Sequence, residues 1–194
     1  MTSVVIISEF PEAIELNPII YEKICERTEY QVVGINDQPG GFRTGYHLET
    51  EQIKEVDMLL TWIRDSLPGI SKKFASEKPA KFYGFNVNAF EIIECWGVLY
   101  NKGESVVSHT HFPYTLSFVY YVNTPEGYSP LTLSGHEIDI KEGQCIFFHP
   151  HLYHSVSPTQ SNGRCVISGN ILYKTTPSDV KTTEGFRINY ENTK

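Results

Sequence analysis

The sequence has no long apolar run. None of its hydrophobic segments approaches the roughly 18 residues needed to cross a bilayer, and MTSVVIISEF at the start carries no charged leader ahead of its short apolar stretch. A cytoplasmic protein with no membrane partner is expected. Basic charge is also scarce: 16 Lys and Arg stand against 23 Asp and Glu, for a net charge of -7. The resulting field repels phosphate backbones, so no non-specific nucleic-acid binding is expected. Cys25, Cys95, Cys145 and Cys165 contain no CxxC pair, which removes the common zinc and dithiol motifs. Cys95, Cys145 and Cys165 lie inside apolar strand-like runs and are expected as reduced core residues. Repeats, low-complexity tracts and linkers are absent, and 194 residues suit one domain better than two.

What the chain does have is aromatic weight, with 12 Tyr and 11 Phe, a bias that favours strands. The first part is mixed. Val4 to Ile7 reads as a short strand, and Asn17-Pro18 supplies an N-cap and first-turn proline for a helix to about Arg27. Residues 34 to 47 (GINDQPGGFRTGYH) read as a loop, a candidate lid. From Thr50 to Leu67 the apolar residues Ile53, Val56, Leu59, Leu60, Ile63 and Leu67 recur at helical spacing, with Pro68-Gly69 as the expected stop. After about residue 81 the period becomes two. Strands are expected at Ile92 to Tyr100, Val106 to His111, Thr115 to Asn123, Leu131 to Leu133, Gln144 to Phe148 and Arg164 to Tyr173, with turn residues between them. Short strands in series, with no helices between them, predict an all-β core of antiparallel strands, a sandwich or barrel, over 81–175. Residues 1–80 would then pack their strand and helices on its flank.

Two histidines stand out in this pattern. In a strand, residues two apart face the same way, so His109 and His111 can converge on one point. An iron ion with open positions takes three protein ligands on one side. His149, His151 and His154 follow in the run GQCIFFHPHLYHSVSP, and His154, at the head of the short run His154 to Val156, is the favoured third. Ten residues later comes Arg164, which shares one strand face with Val166, Ser168 and Asn170, while Cys165, Ile167 and Ile171 share the other. A guanidinium facing a barrel interior needs an anion, and its fork matches a carboxylate. That anion is either a structural Asp or Glu or a bound carboxylate ligand.

The segments YNKGESVVSHTH (Tyr100 to His111), SFVYYV (Ser117 to Val122), GQCIFFHPHLYHSV (Gly143 to Val156) and RCVISGN (Arg164 to Asn170) resemble the Fe(II)/2-oxoglutarate-dependent dioxygenases. The first is similar to the prolyl-hydroxylase pattern Y-x-x-G-x-x-x-x-x-H-x-D. With H-x-H in place of H-x-D, His109 and His111 also resemble an H-x-H subgroup of phage and bacterial oxygenases. The resemblance implies a double-stranded β-helix (jelly roll) holding Fe(II) on His109, His111 and His154. It also implies that 2-oxoglutarate is bound by Arg164, with hydroxyl hydrogen bonds from Tyr100 and Ser168. The implied reaction is hydroxylation of a C–H bond with O2 as oxidant and release of succinate and CO2. His111 stands where the common form has a carboxylate, so the protein ligands would carry one negative charge fewer.

Two other readings remain. GESVVSHTH also fits the opening of the cupin motif, G-x5-H-x-H, but FPYTLS lacks the acid expected next, and a cupin needs no inward Arg164. A jelly-roll binding module would use the histidines only as surface. The substrate, a small molecule or a peptide, is not legible. The 34 to 47 loop with Arg43 and the 124 to 130 turn are the expected substrate-facing elements.

Overall fold

The computed structural model describes residues 5–76 and 89–174. Val4, the expected boundary at 80–81 and residue 175 lie outside the described residues. In chain order the elements are β1 (Val5–Glu9), α1 (Ala13–Cys25), β2 (Tyr30–Gln31), β3 (Phe42–Arg43), a 3-10 turn (Leu48–Thr50), α2 (Lys54–Ser76), β4 (Phe90–Tyr100), β5 (Val106–His109), β6 (Leu116–Asn123), β7 (Leu131–Leu133), β8 (His136–Ile138), β9 (Gln144–Phe148), β10 (His154–Val156) and β11 (Arg164–Tyr173). Seven strands form one sheet in the order β1-β9-β6-β11-β4-β3-β2, and four form a second, β5-β10-β7-β8. Neighbouring strands are antiparallel throughout. The architecture is the expected all-β jelly roll with N-terminal helices against one face.

Alternation along the central strands creates two cores. Trp96, Val98 and Tyr100 of β4, Val119 and Tyr121 of β6, Ile146 and Phe148 of β9, and Val166 of β11 pack between the sheets with Leu131, Leu133 and Val156. The other faces of these strands, with Cys95, Phe118, Tyr120, Cys145, Phe147, Cys165 and Ile167, pack against α1 and α2. Cys95, Cys145 and Cys165 are buried free thiols, as expected. The ladder is regular from Arg164–Tyr100 to Asn170–Glu94; beyond it Ile93 of β4 is left unpaired opposite Asn170 and Ile171, a bulge that shifts the parity of β4 and puts Phe90 and Ile92 on the helical side.

Several boundaries differ from expectation for physical reasons. Asn17 does not cap α1. The helix begins at Ala13 with Pro18 inside it, and Asn17 is buried, where it accepts a hydrogen bond from the Tyr120 hydroxyl at 2.6 Å. Docking on the sheet, with Phe10 packed on Trp62 and Tyr120, outweighs the capping preference. Pro68-Gly69 does not stop α2. Ile70 and Phe74 continue the buried stripe of Ile63 and Leu67, and the carbonyl that Pro68 leaves without a donor belongs to exposed Arg64. The 34 to 47 segment holds β3, which pairs with β4 at Leu99 and Val98. β5 ends at His109 rather than His111, and β8, missed in the sequence, forms a hairpin with β7 through Ser134 and Gly135, both at positive φ.

Replacing Tyr120 by Phe leaves the buried Asn17 acceptor without its donor and should cost about 1–3 kcal/mol. Chemical denaturation reads this directly. An unchanged midpoint would contradict the docking role.

Candidate metal centre

His109, at the end of β5, lies directly opposite His154, at the head of β10. Their ring centroids are 4.2 Å apart. The chain leaves β5 after His109, and the His111 N–H donates to the Pro150 carbonyl at 2.7 Å, which ties this turn to the end of the β9–β10 connection. His111 therefore reaches the other two rings from outside the strand, at 5.1 Å from His109 and 4.8 Å from His154. One ligand atom from each of the three lies within 4.8 Å of the others. His149 and His151 stand apart: they stack on one another at 5.4 Å, and His149 packs on Phe74 at 4.8 Å.

The ring nitrogens are already sorted. Nδ1 of His109 lies 2.8 Å from the Val107 carbonyl, and Nδ1 of His154 lies 3.1 Å from the Leu152 carbonyl. A carbonyl only accepts, so both Nδ1 atoms carry the proton and both Nε2 lone pairs are bare. Nδ1 of His111 donates to Asn170 Oδ1 at 2.6 Å. All three rings thus offer Nε2, the arrangement expected of metal-binding imidazoles held from behind. Burial, with the neighbouring rings, holds His154 down to about 3, and burial with the charge of His109 lowers His111, so both imidazoles are neutral at ordinary pH.

Arg164 opens β11 opposite Tyr100 and is 1% exposed. Its guanidinium lies 4.7 Å from the Tyr100 ring and 5.4 Å from the Tyr121 ring. Among the described residues it forms no ion pair, so the structural Asp or Glu partner does not exist there. Among the described residues its Nε and Nη1 atoms, and the Tyr121 hydroxyl, have no hydrogen-bond partner. Orphaned donors of this kind cost free energy unless an acceptor enters, and a carboxylate is the acceptor that matches a guanidinium fork. Burial raises the Tyr100 and Tyr121 phenols against the opposing pull of the Arg164 charge, so both remain neutral donors. Ser168 lies on the same strand face and lines the same space.

These groups share one cavity of about 500 Å³, lined by the three histidines, Arg164, Tyr100 and Ser168 and closed by apolar Val119, Leu131, Val156 and Val166. Arg43 and Tyr46 of the 34 to 47 segment line it as well. The Arg43 guanidinium sits 3.8 Å from the Tyr46 ring and 4.7 Å from the Tyr30 ring. The 124 to 130 turn contributes no lining residue, so that expectation is corrected. Glu94, Asn170 and Trp96 also line the cavity, and Tyr121 stands beside Arg164 without lining it; none was assigned to the site from the sequence. Parity alone would have turned Tyr121 inward in SFVYYV, Asn170 with Arg164, and Trp96 and Glu94 with Tyr100; the contact of Glu94 with Asn170 needed the register between β4 and β11.

No protein-family model and no curated protein matches this chain. Solved structures do. The viral collagen prolyl hydroxylase of Paramecium bursaria Chlorella virus-1 superposes with a TM-score of 0.62 at 14% identity, over 90% of this chain and 98% of that one. A Pseudomonas putida prolyl-4-hydroxylase gives 0.60 at 18% identity, over 90% and 95%. A 2OG-Fe(II) oxygenase family oxidoreductase of Burkholderia pseudomallei gives 0.62 at 13% identity, over 88% and 86%. At these identities the likeness establishes the fold alone, a jelly roll.

The neutral state of His154 has a measurable consequence. Its ordinary pKa of 6.5 applies to the unfolded chain, which takes up a proton that the folded chain refuses until about 3. Stability of the metal-free protein is therefore complete above that range and falls as pH drops through it, by up to ~1.4 kcal/mol per pH unit for this residue. Urea denaturation between about pH 7 and pH 5 should show the fall, and His154→Gln should make it shallower. Equal slopes in the two proteins would contradict the account.

Proposed function

We propose that this protein is an Fe(II)- and 2-oxoglutarate-dependent dioxygenase that hydroxylates a C–H bond and releases succinate and CO2. The observation that carries the proposal is Arg164: a buried guanidinium that has, among the described residues, unfilled donors and no anionic partner, lining the same cavity as three imidazoles whose Nε2 atoms are bare. His109, His111 and His154 would hold the iron. Arg164, with Tyr100, Tyr121 and Ser168, would hold the far carboxylate of 2-oxoglutarate. With O2, the bound iron and 2-oxoglutarate supply the oxidation that no side chain can perform.

The chain's own share is binding, orientation and exclusion of water. Backbone carbonyls and Asn170 keep each imidazole in the ligating tautomer. Arg164 supplies the charge and the fork for one carboxylate, and the two phenols complete its hydrogen bonds without adding charge. The apolar wall of Val119, Leu131, Val156 and Val166 keeps the cavity dry on the inner side. Chemistry by proton transfer from a side chain is not required. A cupin-type enzyme would leave Arg164 without a purpose in this cavity. The substrate, a small molecule or a peptide, enters past Arg43 and Tyr46.

Anaerobic addition of Fe(II) and then 2-oxoglutarate should give a visible metal-to-ligand charge-transfer band. His154→Ala should abolish it, and Arg164→Ala should weaken 2-oxoglutarate binding by roughly 10-fold or more, as expected for the loss of a buried charge-assisted pair. No band in the wild-type protein would refute the oxygenase; an unchanged band in Arg164→Ala would refute the cosubstrate role of that residue. A second measurement concerns the mouth. Arg43→Ala should leave 2-oxoglutarate affinity unchanged, because Arg43, although it lines the same cavity, has its guanidinium engaged by the Tyr46 and Tyr30 rings; weakened cosubstrate binding would contradict that division.

A further inference from the structure

Behind His111 stands a relay that neither of the other histidines has. Asn170 is 2% exposed and sits between three partners. Its Nδ2 donates to Glu94 Oε1 at 2.7 Å. Its Oδ1 accepts from His111 Nδ1 at 2.6 Å and from the Ser117 hydroxyl at 2.9 Å. A carboxylate can only accept, so Glu94 forces the amide to turn its nitrogen outward and its oxygen toward the imidazole. The imidazole must then donate from Nδ1, which leaves Nε2 bare. His109 and His154 are held by backbone carbonyls, which carry no charge.

The charge of Glu94 is not spent elsewhere. Among the described residues it forms no ion pair, and the nearby Tyr114 phenol, raised by burial and by this carboxylate, offers a neutral contact. The unbroken register from Arg164–Tyr100 to Asn170–Glu94 places Glu94 opposite Asn170, on the cavity side of β4. Hydrogen-bonded groups in a low-dielectric interior polarise one another, so a carboxylate one amide away makes the imidazole a stronger donor to a cation.

We propose that Glu94, acting through Asn170, is a positioning residue for the metal centre. It sets the tautomer of His111 and supplies, at one remove, the negative charge that a ligand set of three histidines lacks. The proposal rests on the oxygenase reading for its metal, but its first consequence appears in the metal-free protein.

The test uses three proteins: wild type, Glu94→Gln, and the double variant Glu94→Gln with Asn170→Asp. The single substitution retains the shape of the Glu94 side chain and removes its charge, while the double variant returns a carboxylate one link nearer to His111. Nitrogen-15 NMR of the metal-free proteins reports the His111 tautomer, and anaerobic calorimetry with Fe(II) alone reports affinity; thermal melting checks that each variant is folded. Wild type should show the Nδ1–H form of His111. Glu94→Gln should lose that single form and bind Fe(II) about 10- to 100-fold more weakly, the usual effect of losing a partner behind a ligand. The double variant should recover both, which a role confined to packing would not produce. A Glu94→Gln protein with wild-type tautomer and wild-type affinity overturns the proposal, as does a double variant that recovers neither. Wild-type protein that binds no Fe(II) would instead overturn the oxygenase reading, and the tautomer comparison still decides the relay.

Discussion

The site depends on the parity of one strand. β11 lies between β6 and β4 in the middle of the large sheet, with Arg164, Val166, Ser168 and Asn170 turned toward the second sheet and Cys165, Ile167 and Ile171 turned toward the helices. A slip of one residue would exchange the two sets, burying a guanidinium against α1 and α2 and turning isoleucines into the cavity. The apolar face thus fixes the polar one. The helices serve the chemistry in this sense: they make only one register of β11 tolerable, and that register carries the Arg164 end and the Asn170 end of the cavity on a single element.

The interior row is expensive for a core. A buried guanidinium with open donors, an unpaired Tyr121 hydroxyl and imidazoles held neutral by burial all work against stability. Folding tolerates them because the second core, with α1 and α2 on the outer face, supplies the apolar burial that the inner face gives up. Local conflicts of this kind mark functional positions, and here they gather around one cavity. The three-histidine cluster has the same character. His109 and His154 meet because β5 and β10 pair, and His111 joins them because its turn is anchored at Pro150.

Much of this was legible in the residues. Period-two runs predicted the strands and the all-β class, and the alternation of RCVISGN placed Arg164 inward. Among the three downstream histidines, His154 was separable because it opens a strand of its own, whereas His149 and His151 sit around Pro150. The misses have a common cause. Asn17-Pro18 and Pro68-Gly69 carry strong local signals that tertiary burial overrides, through Tyr120 in one case and the Ile70 and Phe74 stripe in the other. Glu94 and Asn170 stand 76 positions apart, and only the pairing of β4 with β11 brings them together. Spacing along a chain carries no trace of such a pairing. Tyr121 differs, since its parity could have been counted.

The most direct measurement of the central claim is a structure of the protein crystallised anaerobically with Fe(II) and 2-oxoglutarate. The account predicts one iron ion bound by Nε2 of His109, His111 and His154, with the far carboxylate of 2-oxoglutarate against Arg164 and the Tyr121 hydroxyl. Iron held at His149 and His151, or a 2-oxoglutarate that leaves the Arg164 donors unfilled, would contradict it.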